Sequence, residues 1–310
     1  MQDPVISYIV TVYRKEPYVG YTAKSLLQQE GGLPSEYIFV DDVSPDRSLA
    51  VVEEVTKGVP NVTIIRNSEN KGPSIRLNQG AKLARGRYLQ FIDSDDIMAA
   101  NASLTMLNLA QKHDADVVYG RWKKTDILSN KLLGKRMHDD APYKVSDSPL
   151  DFQFEERILR MTQMVSRDTF LKSGGCDERI FIQDESIVLR LARVARRFIL
   201  IDEPVVFVPK IEGELSGNRS QLNHDRYLAN RHMLLDFPDL SEIHRRRFYR
   251  RCVSAMWKQV RDTKPLARRY MSSAFFRYLG SCMELRAVDA IRLSEMDHFF
   301  ATLAGVRRVD

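Results

Sequence analysis

The chain lacks any apolar run long enough to cross a bilayer. Its uninterrupted stretches, such as Phe198 to Ile201 and Val205 to Val208, are only a few residues long, against the roughly 20 a spanning helix needs. Cysteine is scarce: Cys176, Cys252 and Cys282 are odd in number and scattered, which excludes a disulfide framework or a zinc knuckle and predicts reduced thiols. The phosphate-loop patterns GxGxxG and GxxxxGK[ST] are absent. No charged leader precedes the β-like run Val5 to Val12, so no secretory signal is expected and residence in the cytoplasm is the expectation. Internal repeats and low-complexity segments are missing too. What remains is ordinary globular material: 310 residues, 44% apolar and 28% charged, enough for one large domain or two of common size.

Charge is distributed unevenly. Residues 1–225 hold 30 Lys and Arg against 32 Asp and Glu, whereas residues 226–310 hold 17 against 9. A near-neutral body followed by a basic region suggests a binding or catalytic core with an appendage that meets something anionic.

Hydrophobic periodicity alternates along the first 120 residues. Strand-like runs at Val5–Val12, Glu36–Val40, Val62–Ile65, Tyr88–Ile92 and Asp116–Tyr119 are separated by helix-like runs at Tyr18–Gln29, Ser48–Thr56, Ser74–Ala84 and Asn101–Lys112. Such alternation implies right-handed crossovers and a mainly parallel sheet with helices on both faces. Arg121 to about Leu150 reads as polar loop. Helices at Arg167–Ser173 and Ser186–Val194 and short strands at Phe198–Ile201 and Val205–Val208 follow, and helices resume after His224. There Tyr249, Val253, Met256 and Val260 form an apolar stripe, with Arg246, Arg247, Arg250, Lys258 and Arg261 off it.

In a parallel sheet, ligands bind beyond the carboxyl ends of the strands, where crossover helices point their N-termini. Two of those ends are acidic here: Asp41 and Asp42 after the second strand, and Asp93, Asp95 and Asp96 after the fourth. Asp also caps helices, but carboxylates gathered at strand ends repel one another unless solvent separates them or a cation sits between them. A hard divalent ion takes such oxygen ligands while keeping positions for phosphate oxygens.

The blocks VDDVS at Val40–Ser44 and NKGPSIRLNQGAKLARGRYLQFIDSDD at Asn70–Asp96, with CDERIFIQDESIVLRLAR at Cys176–Arg193, resemble the family 2 glycosyltransferases of GT-A fold over roughly residues 4–220. The resemblance implies an α/β GT-A catalytic domain over 1–222, with a nucleotide-sugar-binding half at 1–120 and an acceptor half at 121–222, followed by a basic amphipathic helical region at 223–310. It implies that Thr11 and Tyr13 border the base of a UDP-sugar, that Asp42 accepts a hydrogen bond from it, and that Arg76 and Lys210 serve the phosphates. Asp93 would lie near the ribose, Asp95 with Asp93 would hold Mn²⁺ or Mg²⁺, and Asp184 would be the general base of an inverting transfer to a surface polysaccharide or lipid-linked glycan.

This chain departs from the family pattern in three places. Thr11 and Arg14 stand where proline and asparagine are common, and Leu77 precedes Asn78 where arginine is common, with Arg76 one residue earlier. No histidine appears in KIEGELSGNRS at Lys210–Ser220, a segment that resembles the corresponding loop of teichoic-acid-type transferases; His224 is out of register. A non-catalytic scaffold and a sugar-phosphate nucleotidyltransferase remain the alternatives, the latter disfavoured by the single glycine in Val12–Gly20. The basic region, with Arg245–Arg247 flanked by Phe248, Tyr249 and Trp257, reads either as a helical face packing on the body or on another subunit, giving a homo-oligomer, or as a peripheral contact with an anionic membrane. No nucleic-acid motif accompanies it.

Overall fold

The structure is a computed structural model that describes residues 3–126, 129–158, 161–210, 218–263, 265, 270–282 and 288–309, the side chain of 282 excepted. The chain divides into two compact units, one of residues 1–176 with 190–210 and the other of residues 177–189 with 211–310.

Among the described residues the first unit is built on a nine-stranded sheet in the order β3-β2-β1-β4-β8-β6-β9-β5, where β5 is Ile97–Met98, with β7 (Tyr143–Ser146) also pairing with β9. β1 (Ile6–Val12), β2 (Ser35–Asp41), β3 (Val62–Arg66) and β4 (Tyr88–Asp93) run parallel. The antiparallel β8 (Gln163–Ser166) is inserted between β4 and β6 (Val117–Thr125), and β6 is again parallel to β9 (Phe198–Pro209). Six of the seven residues of β1 are buried, as expected for a strand covered on both faces. Helices α1 (Val19–Leu27), α2 (Ser48–Thr56), α3 (Pro73–Leu83) and α4 (Ala102–His113) make the crossovers. This is the α/β architecture the periodicity implied.

Two local devices fix the parallel part of the sheet. At the amino end, the Glu36 carboxylate accepts from Ser7 Oγ at 2.6 Å, from the Arg85 backbone N–H at 2.6 Å and from Arg85 Nε at 3.0 Å. Burial pushes this carboxyl up, but the bonds from Ser7 and Arg85 outweigh it and hold the group below the usual carboxylate range. On the face of the sheet, α3 lies so close that a Cβ at Gly80 would stand 2.6 Å from Ile9 Cγ2 and 3.1 Å from Val40 Cγ2. Only glycine lets the helix bring Arg76, one turn earlier, down to the carboxyl end of β2.

The sequence reading differs from the structure in the middle of the chain. Residues 121–150 are not all loop: β6 runs on to Thr125 and Tyr143–Ser146 forms β7, an exposed edge strand. The two short strands expected at 198–208 are one strand, β9; its register against β6 jumps at Gly120–Trp122, so Asp202 and Glu203 bulge out without breaking the pairing. α6 (Arg167–Ser173) ends at Gly174, whose φ of +74° makes a left-handed cap.

The second unit is helical. It holds the first part of α7 (Gln183–Val194), then α8 (Arg219–Asp236), α9 (Glu242–Thr263), α10 (Ser273–Cys282) and α11 (Ala290–Ala301). The stripe Tyr249, Val253, Met256 and Val260 is buried along α9. Tyr227 of α8 stacks on Phe300 of α11 with centroids 4.3 Å apart and donates to Asp297, which also pairs with Arg231 at 3.0 Å. Phe248, Tyr249 and Trp257 are buried too, so they do not flank an exposed arginine face as the membrane reading required. Arg246 and Arg261 are paired locally with Glu242 and Asp262. Cys176 and Cys252 are buried and unbridged; the side chain of Cys282 lies outside the described residues. No described helix is long and apolar enough to cross a membrane.

Gly80→Ala is expected to lower stability by about 1–3 kcal/mol through overpacking, despite a helix-propensity gain of about 1 kcal/mol. The measurement is urea unfolding, with a lower midpoint at unchanged slope.

Candidate functional site

The carboxyl ends of β1, β2 and β4 meet in the first unit. Thr11 is level with Val40 on one side and Asp93 on the other, and Asp42 N–H donates to Val12 O at 2.9 Å. This register places Thr11, Tyr13, Asp42 and Asp93 at or just beyond the carboxyl ends of three neighbouring strands. Tyr13 is 38% exposed, with the Arg14 guanidinium 5.8 Å from its ring centroid. Arg14 and Val43 both have positive φ, 54° and 66°. For β-branched Val43 this is a strained backbone of the kind held only where the surroundings fix it, at a cost of about 1–3 kcal/mol. The fixing comes from Asp41, whose carboxylate accepts from Val43 N–H at 3.1 Å and Ser44 N–H at 3.2 Å.

Asp42 is 4% exposed, and its carboxylate is almost fully used by the protein itself. Oδ1 accepts from the Lys71 N–H at 2.8 Å and Arg76 Nε at 2.7 Å, and Oδ2 from the Gly72 N–H at 2.9 Å. An ionised carboxylate offers about four lone-pair positions, so one acceptor position remains, on Oδ2. Arg76, 5% exposed, is spent inward: beyond Asp42 it donates to Gln79 Oε1 at 3.1 Å and to the Glu69 carbonyl. Its sequence-assigned place at the phosphates therefore becomes, in this structure, a place behind Asp42.

The run from Asp93 to Asp96 closes a tight turn, with Asp96 N–H donating to Asp93 O at 3.0 Å. Asp95 Oδ2 is 2.5 Å from the ammonium of Lys15, and both side chains are largely buried. Burial pulls the Lys15 ammonium down, but Asp95 first, then Asp93 and Asp96, raise it further, so the lysine stays charged beyond its ordinary range. Lys15 is held in place through its backbone N–H, which donates to Ser48 Oγ at 2.8 Å at the start of α2. The acidic turn thus already attracts a cation from its own chain. Its hard oxygen donors suit a divalent ion that completes its sphere with substrate phosphates. Among the described residues no three His, Cys, Asp or Glu side chains gather as a metal cage. The site of Lys15 was missed in sequence as a site residue; its signal was a lone lysine two positions beyond Tyr13.

Lys210 follows the strand that pairs with Ile97–Met98, just after the acidic turn. It is exposed after the end of β9, with its ammonium 2.5 Å from Asp126 Oδ1. The loop expected to fold over phosphates lies at 211–217, outside the described residues.

In the second unit, Asp184 and Glu185 occupy the first turn of α7, where acidic side chains complement the helix dipole. Asp184 is half-buried and Glu185 buried. Burial pushes the Glu185 carboxyl up, against the pull of Arg226, whose Nε is 3.0 Å away. His224 is buried, 2.7 Å from Asp225 Oδ1 and edge-on to Phe300. Asp177 is held by the Arg179 fork at 2.8 and 2.7 Å and by His232 Nδ1 at 2.7 Å. Burial raises Asp177, but His232 and Arg179 outweigh it and keep the carboxyl far below its ordinary range.

Comparison with known proteins bears on these strand ends. The sequence model of Glycosyl transferase family 2 matches residues 7–172. Glycosyltransferase GlyG of Streptococcus pneumoniae is 30% identical over 231 residues, covering 72% of this chain and 76% of GlyG. Poly(ribitol-phosphate) beta-glucosyltransferase of Bacillus spizizenii is 34% identical over 122 residues, 38% of this chain but 19% of that protein. The chain thus spans only about a fifth of that relative's length. Among solved structures, S. aureus TarS 1-349 in complex with UDP-GlcNAc superposes with a TM-score of 0.67 at 20% identity, over 94% of this chain and 83% of that one; this likeness speaks for the GT-A-type fold alone. With more than half of its length matched by the family's sequence model, the chain belongs to glycosyl transferase family 2.

Proposed function

We propose that this protein transfers a sugar from a uridine diphosphate sugar to a hydroxyl of a surface polysaccharide or lipid-linked glycan, with inversion at the anomeric carbon and with a divalent cation at Asp95 and Asp93. The observation that carries the reading is the occurrence, at the carboxyl ends of the two strands that flank β1, of a nearly saturated buried carboxylate at Asp42 and an acidic turn at Asp93–Asp96. The names of relatives support the substrate class: a beta-glucosyltransferase acting on poly(ribitol phosphate), and a UDP-Glc:alpha-D-GlcNAc-diphosphoundecaprenol beta-1,3-glucosyltransferase from Escherichia coli.

Each residue's chemistry follows from its setting. The acceptor position left on Asp42 suits a base that presents a ring N–H, as uracil does, and disfavours cytosine, which presents a lone pair at the same edge. Tyr13 supplies an exposed ring against which a base can lie. Bound at Asp95 and Asp93, a divalent ion would stabilise negative charge on the departing diphosphate. Lys15, beside Asp95, adds a fixed positive charge in the same place. On the acceptor side Asp184 takes the proton of the attacking hydroxyl. The acceptor oxygen bonds to the anomeric carbon, the bond from that carbon to the phosphate oxygen breaks, and its electron pair leaves with the nucleoside diphosphate.

Three measurements test this reading. Release of nucleoside diphosphate from a panel of UDP-, GDP-, CDP- and TDP-sugars, with Mn²⁺ or with EDTA, is expected to show chelator-sensitive turnover of a UDP-sugar; activity that survives EDTA would remove the metal. Asp95→Ala is expected to lower kcat on the order of 100-fold or more, and Asp184→Asn to lower transfer by about 10²–10⁴-fold while nucleotide binding by calorimetry persists. Lost binding in Asp184→Asn would move that residue from chemistry to structure. Finally, Arg76→Leu strands Asp42 as a buried carboxylate and is expected to destabilise by about 3–5 kcal/mol, with part of the loss recovered in Asp42→Asn/Arg76→Leu; equal unfolding midpoints for the two would break the coupling.

A further inference from the structure

The first turn of α7 is tied to a part of the chain far beyond the stretch by which the family is recognised. The Ile182 N–H, two residues before Asp184, donates to Asp225 Oδ2 at 2.8 Å. Asp225 is fully buried, and its Oδ1 is held by Gln221 Nε2 at 2.9 Å and lies 2.7 Å from His224 Nδ1. Gln221 grips the backbone of Arg307 from both sides: Nε2 donates to Arg307 O at 3.0 Å, and Oε1 accepts from the Arg307 N–H at 2.6 Å. The Arg307 guanidinium lies 4.5 Å from the centroid of the Phe181 ring, immediately before Ile182. The strap that carries Arg307 is itself fixed, by Asn218 Nδ2 to Gly305 O at 3.2 Å and by an Arg308 terminal nitrogen to Ala301 O at 2.8 Å and Leu303 O at 2.9 Å.

These bonds form one continuous path from the strap through Gln221 and Asp225 to the backbone that starts α7. A carboxylate withdrawn from water costs several kcal/mol before its bonds are counted, and an apolar side chain would fill the same volume without that cost. What an apolar residue could not do is accept from the Ile182 N–H and so hold the entry to the helix in register. The opening N–H groups of a helix have no partner within it, so an acceptor here decides where the first turn sits. A base must stand within hydrogen-bond reach of the proton it removes, and a misplacement of about 1 Å is worth on the order of 100-fold in rate.

We propose that Asp225 is a positioning residue for Asp184, and that Gln221 and Arg307 fasten it from the segment 305–308. The inference rests on the reading of Asp184 as the base. It gives the helical region a part in the transfer step, where the sequence had suggested only packing or surface contact. Asp225 acts through Asp184 and touches no substrate.

The test uses the full chain with donor and acceptor and compares Asp225→Asn, Arg307→Ala, Asp184→Asn and the double variants. Asp225→Asn is expected to lower kcat about tenfold, with donor KM changed by no more than about twofold. Arg307→Ala, which removes an exposed side chain and leaves the backbone grip of Gln221 intact, is expected to cost about threefold in kcat. The deciding readout is non-additivity: in an Asp184→Asn background neither substitution is expected to slow the residual rate further. If Asp225→Asn and Arg307→Ala each slow that residual rate by the factor they impose on the wild type, they act structurally and the proposal falls. Unchanged kcat in both single variants also overturns it, with the base reading intact. Near-wild-type turnover of Asp184→Asn removes the base reading itself, whatever the other variants do. Should Asp225→Asn fail to fold, Arg307→Ala carries the same comparison.

Discussion

The Asp42 carboxylate is the point on which the donor side of the molecule depends. It sits at the end of β2, and three of its acceptor positions are taken by the Lys71 and Gly72 N–H groups and by Arg76 Nε. Those bonds fasten the loop before α3 to the strand and fix the orientation of the one acceptor position that is left. Because the pair is buried, it contributes little net stability by itself; its worth lies in geometry. The rest of the first unit is arranged to keep it. Gly80 lets α3 lie against β1 and β2, Asn70 Nδ2 ties the Asp42 carbonyl at 2.6 Å, and Asp41 holds the strained turn that follows.

A second constraint is electrostatic. Three carboxylates within four residues at the end of β4 cannot all face one another unscreened, and the structure meets this with Lys15 from the end of β1. A lysine so placed neutralises the turn without filling it, since an ammonium has three donors and no rigid geometry. The acidic turn and its counter-cation therefore come from adjacent parallel strands, which is where a sheet of this topology gathers ligands. In the second unit Asp177, Glu185 and Asp225 are each paired with Arg, His or amide partners, and Asp225 also accepts from the Ile182 N–H just before α7.

Much of this was legible in the sequence where period and chemistry agreed. β1 to β4 and their helices were readable because each strand is a buried apolar run and each helix has one apolar face; α2 and α6 fall on the expected residues. Thr11, Tyr13, Asp42 and Asp93 came together because strand-end position follows from topology alone. Arg76 could be located but its direction could not, since whether a guanidinium points to a ligand or to a neighbouring carboxylate depends on the packing of α3. β7 escaped because its alternation, Tyr143 and Val145 against Lys144 and Ser146, is only four residues long inside a polar connector, and the helix was expected from Ser186 because Gln183, Asp184 and Glu185, its acidic first turn, add nothing to the apolar period. Asp225 was invisible for another reason: its partners lie at 182, 221 and, through Gln221, at 307, and no local pattern links such distant positions.

The antiparallel insertion of β8 has a consequence for biogenesis. β1 to β4 pair among themselves and can assemble once Asp93 has left the ribosome, but the free edge of β4 waits for Gln163–Ser166. At a synthesis rate of about 5–20 residues per second, the roughly 70 residues between them leave that apolar edge open for about 4–14 s. β6 waits longer for β9, whose pairing with it is the most extensive in the sheet. Nascent chains are thus most exposed to edge-to-edge aggregation while the stretch between β4 and β9 is being made, and the demand for chaperone protection falls on that interval.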